Sequence, residues 1–149
     1  MDFRFSVGKI HPVDILRRRL TRGLEVAIGD QPARRGGEVE ALVTISNAGK
    51  LGDLEVGVVC TEYYDEQETT REANGATSVS RSTSDEVVHE SWNEVESVLG
   101  QQGLRFTIPA DAPFSYSGEC LSFKWEVVAR GRRSGRLDAQ ARSEFSVLP

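Results

Sequence analysis

The sequence predicts an all-β protein: two antiparallel sheets packed face to face, preceded by one short N-terminal helix. Three observations predict it. Apolar residues recur at every second position in six separate segments, the period of strands with one buried face. Glycine- and proline-rich turns divide these segments, with no helix-length stretch between them. The length of 149 residues suits one domain, read as an extension over residues 1–23 and a sandwich over 24–149.

The helix comes first. Phe3, Phe5 and Val7 alternate, and then "HPVDILRRRLTRG" sets Pro12 near a helix start and Gly23 past its end. Val13, Leu16 and Leu20 fall on one helical face, with Arg18 and Arg19 flanking the other. The strands follow. In "LEVAI", Leu24, Val26 and Ile28 share a side; in "EVEALVTISN", Val39, Ala41, Val43 and Ile45 do the same. In "LEVGVVCTEYY" the set is Leu54, Val56, Val58 and Cys60. The links "GDQPARRGG" and "NAGKLGD" carry turn chemistry.

Residues 65–86 break the pattern. They are polar and rich in Ser, Thr and Asn, which predicts a long loop holding a weak edge strand from Thr77 to Thr83. In residues 87–98, Val88, Trp92 and Val95 lie at helical spacing, but the neighbouring strands favour a strand. Alternation then resumes. Leu104, Phe106 and Ile108 share a side, as do Leu121, Phe123, Trp125, Val127 and Ala129. "RLDAQARSEFSVL" repeats it with Leu137, Ala139, Ala141, Phe145 and Val147, and "GRRSG" joins these last two strands as a hairpin.

Between Ile108 and Leu121 the chain is stiff. Pro109 cannot donate to a ladder, so the strand ending at Ile108 stops there. Pro113 pushes Ala112 toward extended geometry, and Gly118 lets the chain turn. Such a segment suits a crossover from one sheet to the other. It fixes register, because a one-residue slip would turn Phe123 and Trp125 outward.

"FTIPADAPFSYSGECLSFKWEVVAR" resembles the signature of arrestin-type domains: an apolar strand ending in Ile-Pro, a Pro/Tyr/Gly passage, then an alternating aromatic strand. "QPARRGGEVEALVTISN" is similar to that family's Pro-x-x-x-Gly-x-x-Val turn, with the glycines doubled at Gly36 and Gly37. "LEVGVVCTEYY" fits the strand that follows. Bacterial and archaeal relatives of these domains include sporulation-control proteins. The resemblance spans residues 24–148 and implies an immunoglobulin-like, arrestin-type β-sandwich used as an adaptor or scaffold. Those relatives typically pair two sandwiches, whereas this chain has length for one. No receptor, phosphate or clathrin site carries over.

Charge narrows the choice of partner. The net charge is −5, and from Leu51 to Glu96 twelve acidic residues face only Arg71 and Arg81. That acidic middle argues against nucleic acid. No stretch is long and apolar enough for a membrane span, and the N-terminus lacks the apolar core of a secretory signal, so a cytoplasmic address is expected. Cys60 and Cys120 fall on opposite strand parities, which predicts two reduced thiols and no disulfide.

Chemistry finds little support. His11 and His89 are the two histidines; neither forms a local motif with a cysteine, and no His/Cys cluster suggests a metal. "DEQE" at 65–68 lacks the alternating oxygen ligands and glycine of a calcium loop. No catalytic residue, metal or cofactor is therefore expected. Contact surfaces remain. Arg17, Arg18, Arg19 and Arg22 form a basic cluster suited to an anionic membrane or an acidic partner, or simply solvated on a docked helix. Tyr63 and Tyr64 sit at a strand end, where tyrosines cap cores or enter interfaces.

The reading is a non-catalytic, cytoplasmic adaptor that binds another protein along an exposed strand edge or on a sheet face. A peripheral membrane adaptor using the N-terminal arginines is the alternative, and a small hydrolase with an unrecognised site a distant one. Self-association would join the acidic middle of one copy to the basic ends of another.

Overall fold

The computed structural model describes residues 23–29, 31–47, 51–132 and 139–149. The helix predicted between Pro12 and Gly23, with Arg17, Arg18, Arg19 and Arg22, lies outside them, as does most of the "GRRSG" link.

The described chain is all-β and mostly antiparallel. Strand β1 (Leu24–Ile28) pairs with β3 (Glu38–Ile45), and β3 pairs with β6 (Gly100–Thr107), forming a three-stranded sheet. The second sheet centres on β4 (Asp53–Arg71) and β8 (Leu121–Arg132). On its far side β4 carries β5 (Thr77–Val95); on its far side β8 carries β9 (Ala139–Phe145) and the short β7 (Tyr116–Ser117). A parallel pair of β2 (Ala33–Arg34) and β10 (Val147–Leu148) completes the description.

Period two explains which side chains meet. Val39, Ala41, Val43 and Ile45 of β3 are buried, as are Val56, Val58 and Cys60 of β4 and Trp125, Val127 and Ala129 of β8. Both sheets feed one hydrophobic cluster, in which Trp125 is fully buried, Phe106 nearly so, and Phe123 and Phe145 pack at its margin. Burying a side chain of this kind contributes about 1.5–3 kcal/mol. The Pro109 segment leaves the three-stranded sheet after Thr107 and enters the other at β7 and β8, as its stiffness predicts. Cys60 is buried and Cys120 exposed, both as free thiols.

The middle of the chain corrects the expectation of a loop, while the edge strand expected from Thr77 to Thr83 lies within β5. Residues 65–71 and 77–86 are strand, paired without a break from Arg71↔Thr77 to Thr61↔Val87. A three-residue turn, Ala73-Asn74-Gly75, closes the hairpin, with Gly75 at φ +82 and its N–H bonded to the Glu72 carbonyl. The strand reading of residues 87–98 holds as far as Val95. Because β8 pairs with β4 only up to Tyr64, the two strands run on beyond the sheet for roughly 23 Å at 3.3 Å per residue. Its residues are exposed on both faces, so no apolar alternation marked it.

Candidate interaction surface

The five-stranded sheet has one face toward the core and one away from it. On the outer face Trp92 of β5 stands opposite Gly57 of β4, and Val128 of β8 continues the row. A Cβ on Gly57 would come within 2.5 Å of the Trp92 ring, so the absence of a side chain there lets the indole lie across β4. The Arg130 guanidinium lies 3.9 Å from the ring centroid on that indole. Glu55 fixes the cation in turn: its Oε1 accepts from Arg130 Nε at 3.1 Å and pairs with Arg132 Nε at 3.0 Å. The Trp92 N–H donates to Glu90 at 3.1 Å, which holds the ring from its other end. The result is a flat, half-buried tryptophan locked by two charged neighbours.

Tyr63 belongs to this face as well, with the Lys124 ammonium 5.6 Å from its ring centroid. Tyr64 points the opposite way, because neighbours in a strand alternate. Glu66, then burial, then Glu86 and Glu62 raise its phenol pKa above the ordinary 10.0. The two tyrosines are therefore not one contact site. Arg142 of β9 pairs with Glu126 of β8 at 3.0 Å and extends the charged border beyond Val128.

On the core face the sheet aligns His89, Cys60, Trp125 and Phe145 across four strands. His89 and Trp125 rings are 5.5 Å apart, and His89 Nε2 is buried with no hydrogen-bond partner. Burial first, and Glu62 second, push the Cys60 thiol from 9.0 up to about 11. The thiol stays protonated at neutral pH, so this row lacks a thiolate nucleophile. A shallow cleft of about 470 Å³ lies beside the end of β1, between Ile28, Pro32, Phe145 and Leu148. Glu144 is the titratable side chain lining it. Among the described residues no group of three His, Cys, Asp or Glu side chains is placed to hold a metal ion, and no helix is long and apolar enough to cross a membrane.

No family model matches the chain, and no characterised protein matches it by sequence. Among solved structures it is similar to Spo0M, a sporulation control protein from Bacillus subtilis, at 15% identity and a TM-score of 0.43. That alignment covers 85% of this chain and 49% of the other, so the chain spans about half of that structure's length.

Proposed function

We propose that this chain is an arrestin-like β-sandwich that serves as a protein-binding adaptor and carries out no reaction of its own. The joint cluster built from both sheets supports the sandwich, as does the Pro109 crossover between them. The protonated Cys60 thiol supports the absence of nucleophilic chemistry where, among the described residues, a cysteine and a histidine meet.

The observation that carries the reading is the outer-face tryptophan. Trp92 is held in one orientation by Arg130 and Glu90, and Arg130 by Glu55. Tryptophan, tyrosine and arginine dominate the energy of protein interfaces, and a ring already fixed loses little entropy on binding. The partner is a protein surface that covers Trp92 and meets the charges of Glu55, Arg130, Arg132 and Arg142 around it.

Affinity capture with the wild-type chain in parallel with Trp92→Ala and Arg130→Ala tests this. A protein retained by wild type and weakened at least about tenfold by each substitution is the expected result. Retention indifferent to both substitutions, in variants with unchanged circular dichroism, overturns it.

A further inference from the structure

We infer that two copies of this chain join edge to edge through β5, about a two-fold axis beside Thr83, so that their sheets become continuous. This concerns the strand's edge and goes beyond the partner reading, which concerns the sheet's face.

The outer edge of β5 is open, since β4 is its partner in the sheet and no other described strand pairs with it. Its backbone groups point outward at known positions. At the hairpin's end the Glu72 N–H bonds to the Ala76 carbonyl, making that a hydrogen-bonded pair. Alternation along an antiparallel ladder then bonds Ser78, Ser80, Ser82 and Ser84 to β4. Val79, Arg81, Thr83, Asp85 and Val87 therefore direct their N–H and C=O groups away from β4. Thr83 Oγ1 donates to Asp65 Oδ1 at 3.2 Å, as the close approach of side chains in a non-bonded pair predicts. Among the described residues no other segment pairs with this edge. The strand contains no lysine or proline, and its bulge comes only at Val88, after Val87.

Symmetry restricts how such an edge meets its copy. A two-fold that keeps strands antiparallel is perpendicular to the sheet, so opposed residues share a face and the axis passes beside a residue. Before the bulge, Asp85 is the acid on the same face as Arg81. An axis beside Thr83 opposes these two, and it does so twice. The same axis sets Val79 against Val87, Ser80 against Glu86, Ser82 against Ser84 and Thr83 against itself. Val79 and Val87 are 56% and 50% exposed in the single chain, although they are apolar. Axes beside Arg81, Asp85 or Glu86 would oppose like charges. The segment from Val79 to Val87 is thus complementary to itself in one register, in charge and in apolar contact.

The hairpin's length fits this role. A two-stranded ribbon exposed on both faces is marginal alone, and pairing makes a four-stranded sheet of it. It also sets the axis beside Thr83 one row beyond Tyr64, the last residue of β4 paired to β8, so that the Val79–Thr83 half of the contact runs past the end of that pairing.

Sedimentation equilibrium of the full chain tests the inference. Wild type is expected to show a monomer–dimer equilibrium with a dissociation constant below about 1 mM. Arg81→Asp and Asp85→Arg each oppose like charges and weaken it at least about tenfold. Mixing the two single variants restores the dimer as a heterodimer, and the double variant R81D/D85R restores self-association. Thr83→Pro, which removes an outward N–H and no backbone bond to β4, only the side-chain bond to Asp65, also weakens it. Trp92→Ala leaves it unchanged, so failure of the partner reading and failure of this one are separable. A monomeric wild type at 1 mM, single variants that dimerise as wild type does, or a mixture that stays monomeric overturns the proposal.

Discussion

The indole N–H of Trp125 donates to the carbonyl oxygen of Pro113 at 2.9 Å. One hydrogen bond thereby ties the stiff crossover to the centre of the core, where Trp125 is wholly buried between Cys60 of β4 and Phe145 of β9. Trp125→Phe keeps a ring in place but leaves that carbonyl without its donor, and should cost about 1–3 kcal/mol. Trp125→Ala adds a cavity and should cost about 3–5 kcal/mol. Urea denaturation of both variants checks the order. Equal losses would mean that packing of the ring contributes nothing beyond the hydrogen bond, and an unchanged Trp125→Phe that the hydrogen bond contributes nothing.

A methyl group at position 57 would meet Trp92 Cδ2 at 2.5 Å and the Ser91 carbonyl at 2.7 Å. Gly57→Ala should therefore lower stability by about 1–3 kcal/mol and lift the indole off β4. A red shift of tryptophan emission in the folded protein reports the second effect. Made in a Trp92→Ala background the same substitution should cost less, because one of its two clashes is gone. Identical costs in both backgrounds would show that the backbone of Ser91 alone sets the limit.

These two sites show what the sequence made legible and what it concealed. Strands such as β3 and β8 are half-buried, so Val39, Ala41, Val43 and Ile45, or Trp125, Val127 and Ala129, print the sheet's period directly. The β4–β5 ribbon buries neither face; Gln67, Thr69, Ser78 and Ser80 have no apolar contrast to display, and the polar composition reads as loop. The signal present was Asn74-Gly75, a turn pair flanked by strand-forming threonines. The interaction surface was concealed for another reason. Trp92 and Arg130 meet only because β4 lies between their strands with a glycine at the crossing point. Tyr63 and Tyr64, adjacent in sequence, are sent to opposite faces by the same alternation that makes strands readable.

Cys60 gives a pH dependence with a definite sign. Its thiol pKa is raised in the folded state to about 11, against 9.0 for an unburied thiol. The unfolded chain therefore loses this proton first as pH rises. Below pH 9 the contribution to stability is complete, and it falls away between 9 and 11. Denaturation midpoints across that window should decline more steeply for wild type than for Cys60→Ala. Alongside, a thiol reagent at pH 8 should label exposed Cys120 and leave Cys60 unmodified until the protein unfolds. Parallel pH profiles, or equal labelling of both thiols, would contradict the burial that raises the pKa.

The free part of the ribbon can be removed to separate folding from association. Beyond Tyr64 the paired residues of β4 and β5 are exposed, and none belongs to the hydrophobic cluster. Deleting residues 67–81 and closing Glu66 to Ser82 with an Asn-Gly turn keeps the Glu66↔Ser82 register, and with it every pair nearer the core. It removes strand that buries no apolar surface, so the stability of the monomer should change by no more than about 1 kcal/mol. Self-association should disappear, since Val79 and Arg81 are gone and the edge left from Ser82 no longer carries complementary charge. Thermal unfolding at a concentration where wild type is monomeric measures the first effect, and sedimentation the second. A large fall in the monomer's melting temperature would show that the ribbon stabilises the domain it projects from, rather than serving a contact between copies.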